Sequence, residues 1–456
     1  MKRLRQGPQW LVFAAVVLGV LLVQSMLIFN PGYFSHDELQ WAVLANQHRG
    51  CAFCNGMWTD LHAFQYRPLT FSIWIWLSQR WFEHPYAFHA VLVGAGAVNA
   101  AMLALLLRRT GVGLVAAVVG AMVFALGPYT LFTVGWVGTL ADLIWVFCSL
   151  AIGLLMQRDM RPAWSYAAVF GLTLLALLAK ETAVVIPGLL ALAWWFSGRR
   201  RAWAVATMVA ALPVLVYLVL RLKVILHGPA GSADPYAWGL ASIPLRWAEF
   251  QLFPLVTNLF GSDGMLAHGL HGSHLHKALL LWLALAWALW RAGPRYLGAF
   301  LLAGTVALGP VLILDVAATW YGYGFGAVAT AVCVMAWKPM PRPARAVLVL
   351  VTGVCVWHGI YVMRMTRDIG EKQARFSPAL ATAIQHADGK PVTLSVQDQR
   401  ERWIYVRFTF HIPSYRGVLI GDRARLVAPG RSGDYEIMAD GALKRRAPSV
   451  PLNRQP

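Results

Sequence analysis

The chain of 456 residues is 58% apolar and 12% aromatic, and only 13% of it is charged, about half the ~25% of an average soluble domain. With a mean hydropathy of +0.56, this balance needs many apolar runs of about 20 residues each. It excludes a soluble enzyme, a disordered chain, a disulfide-dense secreted module and an outer-membrane barrel, whose strands would alternate apolar and polar residues.

Lys2, Arg3 and Arg5 open the chain, and an apolar stretch follows over 10–29. It is longer than a signal-peptide core and lacks a small-residue cleavage site, which predicts a retained first helix. Further helices are predicted near 86–107, 113–130, 137–156, 163–179, 182–197, 203–221, 278–291, 296–313, 322–337 and 345–363, about eleven in all. The net charge of +19 comes from 39 Lys and Arg against 20 Asp and Glu. In a soluble protein it would suggest a nucleic-acid partner. Here the bases gather between apolar runs, at Arg108-Arg109, Arg158 with Arg161, Arg199 to Arg201, Arg291 with Arg295, and Lys338, Arg342 and Arg345. An N-terminus inside puts every cluster on the inner side, as the positive-inside rule asks, and no nucleic-acid partner is expected. The fold expected is an all-α polytopic membrane protein over 1–363 with its C-terminus outside.

Three segments, 30–85, 222–277 and 364–456, then face the exterior. Within them 69–82 (LTFSIWIWLSQRWF) and 242–260 read as amphipathic helices lying in the interface, or as short tilted spans. Residues 364–456 are polar, with 16 Lys and Arg against 9 Asp and Glu. Alternating stretches at 391–396 and 402–410 predict a small α+β exterior domain of strands and turns, with a loose tail after Ala447.

The residues that can do chemistry come in short groups. Ser35-His36-Asp37-Glu38 follows the first helix; two carboxylates and a His beside a membrane suit a base or a metal site, and the same residues suit a helix N-cap. Tyr66-Arg67-Pro68 closes that loop, with an Arg whose planar fork fits phosphate or carboxylate, or snorkels to headgroups. Asp142 lies inside an apolar run, where a carboxylate is a functional candidate by default. Lys180-Glu181 separates two apolar runs and could equally be a self-paired structural ion pair. His89 and Asn99 lie within the second predicted helix, where polar side chains commonly join helices. His268, His271, His274 and His276 could bind a metal, but glycines surround them and no metal is predicted. Cys51 and Cys54 suit a local disulfide in an oxidising exterior. No phosphate-binding P-loop is present.

Asp37, Glu38, Arg67, Asp142, Lys180 and Glu181 are distant in sequence, yet the expected topology puts all of them at the outer face. Acid beside base next to lipid suits an enzyme acting on an anionic lipid-linked substrate. A transporter more often concentrates polar groups at mid-membrane. The order of these features resembles the GT-C superfamily of polyprenyl-phosphate-sugar-dependent glycosyltransferases. Within it the likeness is to the membrane part of the transmembrane O-mannosyltransferases that carry tetratricopeptide repeats, and to their bacterial relatives. The resemblance rests on HDE (36–38), YRPLT (66–70), Phe88-His89, VGWVGTLADLIWVF (134–147) and AKETAVVIP (179–187). It covers 10–200 by motif and 200–363 by architecture. Where members often have an Arg-Tyr-type motif in a late loop, Asp315 to Phe325 offers Tyr321 and Tyr323 without an Arg.

The resemblance implies an inverting glycosyltransferase of a bacterial cytoplasmic membrane, working on the periplasmic face without a cofactor. Its implied partners are a polyprenyl-phosphate-linked sugar, a hydroxyl acceptor on a glycan, lipid or protein, and membrane lipids. Asp37 becomes the catalytic base with Glu38 beside it. His36, Tyr66, Arg67, His89, Lys180 and Tyr321 become candidates for the donor's phosphate or its surroundings, with Asp142 and Glu181 orienting them. A transporter or flippase of lipid-linked sugars, or an O-antigen polymerase or ligase, is the competing reading.

Overall fold

In the computed structural model, residues 9–47, 50–63, 65–157, 162–226, 237, 239–256, 272–315, 317–387, 390–409 and 412–446 are described. The basic clusters at 2–5 and at 158 and 161, His268 and His271, residues 257–260 of the second expected surface helix, and the tail after Ala447 lie outside them. Each of the eleven apolar segments falls on helix. Five of these helices are long and apolar enough to cross a membrane: Pro85–Arg109, Val137–Leu155, Arg201–Val224, Pro294–Ile313 and Arg342–His386. A sixth follows if Leu114–Leu126 and Pro128–Val134 count as one span bent by 61°. That bend has an ordinary cause, since Pro128 opens the second half and has no N–H to continue the first. Gln9–Val23, Ala163–Ala179 and Glu181–Phe196 are shorter and apolar. By length and composition the chain is a mainly helical membrane protein.

The chain divides into two compact units. The first comprises Met1–Ile28, Phe53–Ile73 and Ala90–Met363, and holds most of the apolar helices. Its first helix is interrupted at Gln24, which is fully buried and donates through Nε2 to the Ala125 carbonyl at 2.7 Å. Burial of an amide side chain requires such a partner. The segment at 242–260 forms a helix over Ile243–Leu252, with residues 249–253 buried inside this unit and Pro244 and Leu245 exposed. Helix packing is close enough in places to exclude any side chain. A Cβ on Gly359 would overlap the Leu126 carbonyl oxygen, whereas one on Gly353 of the same helix would meet nothing within 4 Å.

The second unit comprises Phe29–Ala52, Trp74–His89 and Arg364–Pro456. Residues 364–386 continue a helix that begins at Arg342 and ends at His386. Beyond it stands a four-stranded sheet in the order β4-β1-β5-β6, formed by Val392–Val396 (β1), Ala424–Leu426 (β4), Tyr435–Ile437 (β5) and Leu443–Arg445 (β6). Ser414–Tyr415 (β2) and Val418–Leu419 (β3) make a separate hairpin. β1 runs parallel to both of its neighbours and is buried at four of its five residues, as a central strand covered on both faces should be. Within the alternating stretch at 402–410, Arg402–Thr409 is a helix and not a strand. Its buried residues, Ile404, Tyr405 and Phe408, fall at the helical spacing i, i+1, i+4, and Phe376 packs on two of their rings at 5.1 and 6.2 Å. The crossover from β1 to a parallel neighbour needs such an element, and that tertiary requirement overrides the local alternation.

Two substitutions on one helix test the packing. Gly359→Ala should cost about 1–3 kcal/mol, as overpacking does. Gly353→Ala should leave stability unchanged or raise it, because Gly in a helix interior is about 0.5–1 kcal/mol worse than Ala. Thermal unfolding midpoints in detergent check both.

Candidate functional site

In the helical unit, the residues singled out around Asp142 and Lys180 assemble into one array. Lys180 stands between two helices in extended conformation (φ −158°, ψ 139°), so its side chain leaves the helical register there. Its Nζ lies 2.5 Å from Asp142 Oδ2, and the two side chains are only 3% and 2% exposed. The other Asp142 oxygen accepts from Trp145 Nε1 at 3.1 Å, one helical turn further on. The Tyr321 ring lies under the ammonium, 4.7 Å from Nζ. Each member of the pair therefore has a counter-charge and a second contact, which a buried ion pair needs if it is not to be destabilising.

The next residue in the chain makes the next pair. Glu181 Oε2 accepts from Arg67 Nε at 2.8 Å, with exposures of 31% and 12%. Pro68 opens the helix Pro68–Trp81, and Thr70 in its first turn donates to the Ala179 carbonyl at 2.9 Å. That bond fixes the Arg67 segment to the chain break that carries Lys180 and Glu181. Tyr66 donates to the Trp58 carbonyl at 3.0 Å. Its ring lies 5.8 Å from the guanidinium of Arg221, a residue only 2% exposed that also donates to the Leu61 carbonyl. Burial pushes the Tyr66 phenol up, and Arg221 pulls it the other way. Arg67, Glu181 and Arg221 all act electrostatically on Tyr217. Arg221 and Tyr217 were not picked out from the sequence. The signal is a pair of basic residues, Arg221 and Lys223, inside VLVYLVLRLKVIL, which reads as ordinary snorkelling at a helix end.

Asn99 joins helices as expected, donating to the Leu143 carbonyl at 2.9 Å and to the Tyr323 hydroxyl at 3.1 Å. The late segment from Asp315 has no Arg of its own. Arg246 reaches it from another helix, donating to the Asp315 carbonyl while pairing with Glu249 at 2.6 Å.

His36, Asp37, Glu38 and His89 belong to the second unit. Here the two uses foreseen for the acidic group divide between its members. The helix His36–Gln47 begins directly after Ser35, and Glu38, 1% exposed, turns back to accept the Ser35 N–H at 3.1 Å. This is the returning half of a capping box, and it explains Glu38 structurally. Asp37 points elsewhere. Its carboxylate is 24% exposed and lies 3.3 Å from His36 Nε2, whose Nδ1 meets Ser35 Oγ at 3.1 Å.

The approach to Asp37 is strapped down. Asn30 donates to the Thr366 carbonyl at 3.2 Å and its own side-chain oxygen accepts the Gly32 N–H at 3.3 Å. Gln373 accepts the Tyr33 N–H at 2.9 Å, and Tyr33 donates to the Phe82 carbonyl at 2.6 Å while stacking on that ring. His89 is buried, with Nε2 2.8 Å from the Gly32 carbonyl. A carbonyl only accepts, so Nε2 carries the proton and His89 positions the loop. Side chains are excluded where the strap crosses the long helix. A Cβ on Gly32 would overlap the Gly370 carbonyl, and one on Gly370 would overlap the Asn30 amide.

Cys51 and Cys54 are both disulfide-bonded. His274 and His276 lie in the helix Gly272–Ala292. Among the described residues no group of three or more His, Cys, Asp or Glu could hold a metal. No family model matches the chain, and no curated protein matches it in sequence.

The Asp142–Lys180 pair yields a double test. Asp142→Asn should cost about 3–5 kcal/mol by stranding a buried ammonium. Adding Lys180→Met should restore most of that loss, because no uncompensated charge remains. Unfolding midpoints of the two single variants and the double variant give the coupling.

Proposed function

We propose that this protein is an inverting glycosyltransferase that moves a sugar from a polyprenyl-phosphate donor to a hydroxyl acceptor. The observation that supports the reading most is the gathering of Arg67, Asp142, Lys180 and Glu181. These residues come from segments as much as 114 positions apart, and they form two ion pairs on consecutive residues in an apolar helical unit. Cations held by carboxylates, rather than left to find their own partners, are pre-organised to meet a phosphate.

On this reading Asp37 is the base, while Glu38 shapes the helix start that presents it. The Asp37 carboxylate takes the proton of the acceptor hydroxyl, and the oxygen attacks the anomeric carbon. The bond from that carbon to the phosphate oxygen breaks with its electrons, releasing polyprenyl phosphate and inverting the centre. The donor carries its own leaving group, so the step calls for no nucleotide and no cofactor. Arg67 is the cation this reading offers to the phosphate, and Lys180, enclosed by Asp142 and Tyr321, orders the segment beside it. Asp142 and Glu181 hold those two cations, with Tyr321 beneath Lys180 and Tyr66 beside Arg67. Around this chemistry about eleven helices cross a bacterial cytoplasmic membrane, the N-terminus lies inside, and the acceptor is met on the periplasmic face.

Sugar release from a panel of radiolabelled polyprenyl-phosphate sugars tests the proposal. One donor should turn over, and Asp37→Asn should slow it by about 10²–10⁴-fold, the usual share of a general base, with donor binding retained. If no donor is consumed, the transferase reading fails, and movement of the intact lipid-linked sugar across vesicles becomes the experiment. If Asp37→Asn turns over like wild type, the base is another residue.

A further inference from the structure

The helical unit contains a cavity of about 740 Å³ that none of the residues assigned above lines. It lies along the helix Leu114–Leu126, between Tyr323–Ala336 and the first part of Arg342–His386. One end is at Tyr129, Gln251 and Pro254; the other is at Gly113, Leu114, Trp337 and Leu348. The volume is within the roughly 300–1,000 Å³ usual for a small-molecule site. Leu114, Val115 and Val349 at its mouth are exposed apolar side chains, which suit hydrocarbon better than water.

The Trp337 end is rimmed by bases. Arg345 lies over the Trp337 ring, 5.4 Å from its centroid, and donates to the carbonyls of Trp337 and Lys338 at 3.2 and 2.9 Å. Arg108 donates to the Val112 carbonyl at 3.0 Å, next to Gly113. Lys338 and Arg342 are exposed beside them. Residues 105–116 and 334–352 include no Asp or Glu, so the rim's charge is not offset by acids in either segment. The rim is also far from Lys180. Tyr321, which stacks under Lys180, precedes the helix Tyr323–Ala336, and Trp337 follows it. A helix of this length separates its ends by roughly 20 Å.

We propose that this cavity is a binding site for an anionic glycerophospholipid. One acyl chain lies in the cavity, and the phosphate rests on Lys338, Arg342 and Arg345. Two features select that occupant: an apolar slot that opens where the exposed surface is apolar, and a rim of one charge sign at one end only. Basic pockets between membrane helices take lipid headgroups for the same reason. The inference does not depend on the glycosyltransferase reading.

The test uses the full chain in detergent, incubated in turn with phosphatidylglycerol, with phosphatidylcholine of the same acyl chains and with a polyprenyl phosphate. Native mass spectrometry and the unfolding midpoint are the readouts. Phosphatidylglycerol should be retained at least about tenfold more tightly than phosphatidylcholine and should raise the midpoint. The triple variant Lys338→Gln, Arg342→Gln, Arg345→Gln should lose that preference, and Ala329→Phe, which fills the slot, should lose retention with the rim intact. Ala329→Leu is the milder filling variant, and the lipid-free midpoint shows whether each variant folds. Equal retention of the two phospholipids by wild type, or phosphatidylglycerol held as tightly by the triple variant, would overturn the proposal. So would displacement of phosphatidylglycerol by polyprenyl phosphate at one-to-one stoichiometry, which would make the cavity a place for the donor's tail.

Discussion

A carboxylate inside an apolar bundle must be paired, and much of the helical unit follows from how Asp142 meets that demand. The cost of leaving it alone is a few kcal/mol even on lenient membrane scales. Its partner could not come from its own helix, which offers only the Trp145 indole. It comes from a residue 38 positions away, at a break between two helices where the backbone turns extended. Once Lys180 is fixed there, Glu181 is fixed as well, and it in turn holds Arg67. Thr70 closes the arrangement by bonding to Ala179, the last residue before the break. A single buried charge thus accounts for the course of three separate stretches of chain.

The second unit solves a different problem. Its acidic tetrad needs a helix to start at a defined place, and a glycine-containing approach offers little rigidity of its own. Rigidity is supplied by Asn30 within the loop and by Gln373 and His89 from outside it, each bonded to main-chain atoms. Glu38 spends its carboxylate on the helix end, and Asp37 keeps partial exposure. Two adjacent acids in one motif have different employment.

Composition and periodicity made the helical character legible, since an apolar run of twenty residues has few other ways to satisfy its backbone. Structure and sequence pattern part where a long-range contact outweighs the local alternation. Residues 402–410 alternate in sequence like a strand, yet Arg402–Thr409 is a helix between parallel strands. Charged residues were visible as candidates because they are costly in apolar surroundings. Their pairings were not, because Asp142 with Lys180 and Arg67 with Glu181 are decided by packing. Arg221 escaped notice since a base near a helix end has an inexpensive default explanation. Likewise Arg246 belongs in sequence to the helix Ile243–Leu252 and in space to the main chain of Asp315.

Gly32 and Gly370 carry a consequence for how this sequence can drift. Each occupies space that the other segment's atoms already fill, so at both positions the smallest possible substitution displaces a partner. At Gly32 the obstacle is main chain, the Gly370 carbonyl, and no substitution removes it; at Gly370 it is the Asn30 side chain, which a smaller residue at position 30 would clear. Gly298 and Gly353 meet nothing nearby and are open to change. A relative that keeps Ser35 to Glu38 but replaces Gly32 would have had to rebuild the path that leads to them, whereas one that replaces Gly370 needs only a smaller side chain at position 30.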